Sequence, residues 1–183
     1  MQYGTIVADP AWNVKRPSGW NDTQNHRDQS YPTMTVAEIA ALPVDGIAAD
    51  VSYCFLWTVN AFVEDSYAVM REWGFRPVTL LTWCKQPRGV GPGGMFSTTT
   101  EFILYGRRGS HPNGRDKRVN TSWFDWPRRA QSEKPSEFFD LIEDNGFPAP
   151  RIELFARRQR LGWDSWGNEC INHVDLAASP LGR

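Results

Sequence analysis

The sequence predicts an α/β domain built on a largely parallel sheet, and three observations predict it. Short runs of strand formers recur along the 183 residues: Thr5-Ile6-Val7, Val51 to Thr58, Val78 to Cys84, Thr98 to Tyr105 and Arg151 to Ala156. Helical segments separate several of these runs, the alternation that calls for crossover connections and parallel neighbours. The strands also end in residues able to do chemistry, namely Asp9, Trp57, Lys85 and Glu153. In open α/β sheets ligands collect beyond the carboxyl ends of strands, so a site is expected along that edge.

The first strand should stop at Asp9, because Pro10 cannot donate to a sheet ladder. Residues 13–34 lack periodicity and read as a long loop, a length that is usually functional in a compact domain. Thr35-Val36-Ala37-Glu38 reads as a capping box opening a short helix that Pro43 stops. Asn60 is read as the cap of a helix through Trp73, with Gly74 as its left-handed stop. The segment 86–99 is glycine-rich and contains a formal G-x-G-x-x-G at 89–94. Pro92 lies inside that match and a strand follows it, so it reads as a flap rather than a dinucleotide loop. A basic loop spans 107–131, and Pro135 opens a helix from Ser136 to Asn145 that Gly146 stops. Residues 162–169 read as a polar, aromatic turn and 170–183 as a loosely held tail, leaving one domain over 1–169.

Composition narrows the function classes. Apolar content of 40% and charged content of 22% are ordinary for a soluble globular chain. Nine tryptophans are not ordinary, and Trp12, Trp20, Trp123, Trp126, Trp163 and Trp166 adjoin polar or charged residues. Several of these indoles are therefore expected to line a cleft. Cys54, Cys84 and Cys170 form no metal-type spacing and the three histidines are scattered, so no metal site is expected. With no leader and no apolar run long enough to span a membrane, the expected location is cytoplasmic or nucleoplasmic. The net charge of −1 hides a middle segment, 85–129, that carries +6. Arg115, Lys117 and Arg118, with Trp123, Phe124 and Trp126 close by, alternate cations with aromatics as single-stranded or flipped bases require.

The most informative stretch is Asp9-Pro10-Ala11-Trp12. A carboxylate and a proline carbonyl can each accept from an amine, and an indole offers a face to a flat ring. Together they suit an exocyclic amine on an aromatic base, although a strand end with an Asp-Pro turn would look the same.

In order along the chain, Asp9-Pro10-Ala11-Trp12, Tyr31-Pro32-Thr33-Met34, Leu56-Trp57, Trp83-Cys84-Lys85, Glu101, Ser132-Glu133-Lys134-Pro135, Arg151-Ile152-Glu153-Leu154-Phe155-Ala156-Arg157 and Gly167-Asn168-Glu169 resemble the MT-A-seventy family of adenine-N6 methyltransferases. The resemblance covers roughly Val7 to Glu169. It implies a Rossmann-like methyltransferase fold in permuted order, with helices on both faces of the sheet, and S-adenosylmethionine as methyl donor. Carried onto this sequence, Asp9 and the Pro10 carbonyl would hold the target amine, with Ala11 at the position where the family's second proline stiffens the turn and Trp12 stacking on adenine. Tyr31, Lys85 and Glu101 would line the substrate side, joined by Arg115, Lys117 and Arg118. Ser132, Lys134, Glu153, Arg157, Asn168 and Glu169 would hold the donor.

Three departures stand out. Ala11 replaces a second proline, Glu133 replaces a histidine, and Glu169 replaces a glutamine. The last two put negative charge near the donor site. The implied partner is nucleic acid, with DNA preferred over RNA because no recognition domain is appended, and either a homodimer or a heterodimer is compatible. The competing reading is a non-catalytic, nucleic-acid-binding partner of an active methyltransferase, against which Asp9 and Trp12 both argue. A nucleotide-binding protein of another kind would need a phosphate loop, and the chain has none.

Overall fold

A computed structural model describes residues 1–14, 33–85, 95–110, 119–129 and 133–176. Among them seven strands form one sheet in the order β5-β3-β4-β2-β1-β6-β7. They are β1 (Tyr3–Ala8), β2 (Ala48–Thr58), β3 (Arg76–Cys84), β4 (Thr100–Arg108), β5 (Trp123–Phe124), β6 (Arg151–Leu154) and β7 (Asp164–Trp166). The helices are α1 (Val36–Ala40), α2 (Val44–Ile47), α3 (Val63–Glu72) and α4 (Ser136–Asp144). None of them is long and apolar enough to cross a membrane.

The alternation of side chains along the central strands decides which helix goes where. Ile6, Ala8, Cys54 and Leu56 point to one face and pack with Ile39, Val44, Val69, Met70 and Trp73 from α1, α2 and α3. Val7, Tyr53, Phe55 and Trp57 point to the other and pack with Phe138, Phe139 and Ile142 of α4. Two apolar faces demand two helical layers, which is why a run such as Tyr53-Cys54-Phe55-Leu56-Trp57 is apolar throughout.

β1 lies between β2 and β6 and is parallel to both. β3 pairs in parallel with β5, and β6 with β7. Only β4 runs the other way, antiparallel to β2 and β3. That reversal matters for the site. It sets Glu101 opposite Trp83 and Phe102 opposite Thr58, so the start of β4 lies at the edge where β1, β2 and β3 end.

Several local expectations hold and some do not. Thr35 and Glu38 form the reciprocal capping box, and Gly74 and Gly146 take positive φ after α3 and α4. Asn60 instead begins a 3₁₀ turn and makes no side-chain cap, the helix proper starting at Val63. β5 and β7, read as loop and turn, are two- and three-residue strands supported by neighbours rather than by their own pattern. The expected loose tail is tied down as far as Leu176, which is buried against Val174 and the core. His173 holds it there: its N–H donates to Ser165 O, and its Nδ1 accepts from the Ser165 N–H.

Candidate active site

β1 delivers Asp9 and Pro10 to the sheet edge and ends there. The Trp12 N–H turns back to the Pro10 carbonyl at 2.8 Å, closing a tight turn. Met34 N–H donates to the Ala11 carbonyl at 2.9 Å, and Trp12 and Met34 form an isolated bridge. Met34 thus lies against the tetrapeptide that precedes it in the chain.

Trp12 lines the cleft, as its polar neighbours led one to expect, but it is more deeply held than they suggest. It is 5% exposed, its Nε1 donates to the Trp57 carbonyl at 2.9 Å, and its ring stacks on Phe62 at 5.2 Å. The cause is the adjacency of β1 and β2, which brings the Trp57 carbonyl within reach of the ring nitrogen. Of the other indoles expected at a cleft, Trp163 is also buried in the core and Trp123 is exposed.

A cleft of about 290 Å³ opens on this edge. Asp9, Pro10, Ala11 and Trp12 form one wall, Phe155, Ala156 and Arg157 another, and Trp166 to Glu169 a third, with Glu101 and Lys134 between them. Two backbone features shape the second and third walls. Phe155 holds φ of 63° just beyond β6, a conformation that β-carbon sterics disfavour and that accumulates at functional sites. A β-carbon on Gly167 would stand 2.1 Å from the Ala156 carbonyl, so only glycine lets these walls meet.

Four charges connect across the cleft floor. Lys134 Nζ lies 2.9 Å from Asp9 Oδ2 and 3.2 Å from Glu101 Oε2. Lys85 Nζ holds the other Glu101 oxygen, Oε1, at 2.5 Å. The Lys134 ammonium also sits 5.1 Å above the Trp57 ring, and that of Lys85 5.5 Å above Trp83. The two carboxylates respond differently. Burial pushes the Asp9 carboxyl above its ordinary value, with Glu101 adding to the push, against Lys134 and Arg157. Burial would also raise Glu101, but Lys134 and Lys85 outweigh it and hold that carboxyl below its ordinary value. Lys134 is buried yet stays firmly charged, because Asp9 and Glu101 flank it.

Glu153 stands in β6 opposite Val7, one strand from Asp9. Burial, with the Asp9 charge adding, lifts its carboxyl from 4.5 to about 7, despite Arg160 and Arg158. Glu153 does not line the cleft, whereas Lys134, Arg157, Asn168 and Glu169 do. Glu133, one of the departures noted above, pairs with Arg158 at 2.7 Å, which neutralises it. Lys85, expected on the substrate side, is engaged with Glu101. Tyr31, Arg115, Lys117, Arg118 and Ser132 lie outside the described residues, as does the glycine-rich stretch 86–94.

Trp166 lines the cleft as expected of it, but sequence reasoning did not foresee the pairing of Lys134 with Asp9, which are remote in the chain, nor that Phe155 would form a cleft wall. The Arg151-to-Arg157 segment, singled out by the resemblance, was the signal that could have led to Phe155.

Comparison with known proteins agrees with this geometry. The chain is similar to a Type II methyltransferase, M.MunI, of a Mycoplasma species, at 31% identity over 92% of this chain and 78% of that protein. It is 28% identical to a probable N(6)-adenosine-methyltransferase MT-A70-like protein of Oryza sativa and 24% identical to the human N(6)-adenosine-methyltransferase catalytic subunit METTL3. It spans only about a quarter of those two longer proteins, 24% and 28%. The model of the MT-A70 family matches residues 3–169, which hold all seven strands of the sheet and all three cleft walls. With strand-end tetrapeptide, cleft and match in register, the chain belongs to the MT-A70 family of methyltransferases.

Proposed function

We propose that this chain transfers a methyl group from S-adenosylmethionine to the exocyclic N6 amine of adenine in nucleic acid, with DNA as the preferred substrate. The observation that supports the reading best is that the tetrapeptide 9–12 shares one cleft with Lys134, Arg157 and Asn168. The lining suits the donor chemically. Lys134 spends two of its three N–H donors on Asp9 and Glu101, leaving one for an amino-acid carboxylate. Asn168 and Glu169 stand exposed at the cleft mouth, where hydroxyl groups can be bound. Asp9, Glu101 and Glu169 outnumber Lys134 and Arg157 in the lining, which favours a ligand bearing positive charge. When bound, S-adenosylmethionine supplies an electrophilic methyl group on a sulfonium.

The protein's own part is orientation and charge. An adenine amine is a poor nucleophile because its lone pair is conjugated into the ring. Asp9 accepts one of its N–H groups and the free lone pair of the Pro10 carbonyl accepts the other, turning the nitrogen toward tetrahedral geometry. Positive charge then develops on nitrogen beside fixed acceptors, which lowers the barrier. Asp9, whose proton affinity burial has raised, is placed to take the proton that the methylated amine must lose. Trp12 has one face on Phe62 and offers the base at most the other.

Similarity to the Mycoplasma methyltransferase supports DNA, and the +6 segment 85–129 supports a polyanion. The test is incubation of the purified chain with labelled donor and single- or double-stranded DNA or RNA, followed by nucleoside analysis. Labelled N6-methyladenine is the expected product. Tight nucleic-acid binding with no transfer to any of the four would instead identify a non-catalytic partner.

A further inference from the structure

We propose that Lys85 is a positioning residue for methyl transfer, holding Glu101 on Lys134 and thereby Lys134 on Asp9. The inference rests on the functional reading above for its kinetics, but its geometry stands alone. Lys85 Nζ binds Oε1 of Glu101, while Oε2 faces Lys134 at 3.2 Å and Lys134 reaches Asp9 Oδ2 at 2.9 Å. The four groups alternate in sign and are all mostly removed from water, with side-chain exposures of 21%, 17%, 14% and 27% from Lys85 to Asp9. Two ammoniums balance two carboxylates.

Without Lys85 the balance fails. One ammonium would serve two buried carboxylates a few ångströms apart, and like charges so close raise the proton affinity of one member. Glu101, its Oε1 left without a partner, would draw Lys134 toward itself and away from Asp9, and Asp9, whose carboxyl burial already lifts, would be left to take the proton. Arg157 is the other cation facing Asp9 and opposes its protonation, but the cations that hold Glu101 are Lys134 and Lys85, so Arg157 does not replace Lys85 in holding that carboxylate. A protonated Asp9 cannot accept from the amine through that oxygen. Lys85 thus acts at a distance, from the end of β3, by keeping Asp9 ionised. It does so without touching the reacting atoms.

The expectation differs from a phosphate contact, the other natural role for a lysine at this edge. In protein labelled with carbon-13 at aspartate carboxyls, the Asp9 signal is assigned by its loss in Asp9→Asn. Lys85→Met should move the Asp9 titration midpoint upward by about one pH unit, and the acid limb of kcat should move with it. Lys85→Arg should leave both near wild type, and KM for DNA should change less than about twofold in either variant. Glu101→Gln should act in the opposite sense and lower the Asp9 midpoint, which keeps the test decisive if Lys85→Met does not fold. An unmoved Asp9 midpoint in the folded variants, with a salt slope of DNA binding reduced by about one, makes Lys85 a phosphate contact and overturns the proposal. Absence of methyl transfer by the wild-type chain would overturn the functional reading instead, and the carboxyl titration would still decide the role of Lys85.

Discussion

Lys134 Nζ stands 2.9 Å from Asp9 Oδ2, inside a cleft whose walls come from both ends of the chain. Removing one member of a buried ion pair leaves the other uncompensated, at a cost of about 3–5 kcal/mol. Both side chains retain some exposure, so Lys134→Met should fall at or below the lower end of that range. Urea unfolding would measure it. Calorimetry on the same variant and on Asn168→Ala should show weaker binding of S-adenosylmethionine, and unaltered affinity in both would remove these residues from the donor site.

Asp9→Asn preserves the shape of the side chain and one acceptor oxygen but removes the charge. Losing a preorganised acceptor at developing charge costs about a hundred- to a thousandfold in turnover. Turnover should therefore collapse while the melting temperature changes little, since Lys134 keeps Glu101. An Asp9→Asn protein that methylates adenine at a near-normal rate would end the catalytic assignment.

Trp12 should behave differently, because it is core as well as cleft. Its ring is buried against Phe62 and its N–H is spent on the Trp57 carbonyl. Trp12→Ala should lose about 3–5 kcal/mol of stability along with activity. Trp12→Phe should recover much of the stability. Denaturation curves recorded beside methyl-transfer rates separate the two contributions.

Glu153 gives the fold a pH signature. Its carboxyl titrates near 4.5 when unfolded and near about 7 when folded. Between these values the native state binds more protons than the unfolded state, so this group makes stability fall as pH rises through the window. Glu153→Gln should flatten the slope of melting temperature against pH from about 4.5 to 7. An unchanged slope would show that the carboxyl is ordinary.

Charge reversal at Arg115, Lys117 and Arg118 should weaken nucleic-acid binding and leave donor binding alone. Wild-type affinity for DNA should fall steeply with salt, and the reversed variant should show a shallower dependence. Filter binding at several salt concentrations reads both.

Local signals in the sequence were legible because they act locally. Pro10 stops a strand wherever it stands, the Thr35–Glu38 box closes within one turn, and Gly74 supplies the φ its neighbours resist. Asp9 and Lys134 were each recognisable as site residues by resemblance. Their contact was not, because side-chain pairing across a cleft depends on the direction of strands between them. The reversal of β4, which brings Glu101 to the same edge, leaves no mark in the pattern of the strand itself. Short edge strands such as β5 and β7 carry too few residues to show a period. Trp12 lines the cleft as expected, but its burial was not legible, because polar neighbours in sequence say nothing of Phe62 and Trp57, its neighbours in space.

The place of β1 between β2 and β6 has a consequence for biosynthesis. The strand that leads to Asp9 is made before the other six strands of the sheet, yet one of its two partners, Arg151–Leu154, is sixth in chain order. Until then β1 and β2 can pair, but the far edge of β1 stays open, with apolar side chains such as Ile6 and Val7 only partly covered. Such an unpaired, apolar edge invites the wrong strand, and contacts this far apart in sequence form slowly. An unfinished chain is thus most exposed to wrong pairing in the interval before residue 154 is released.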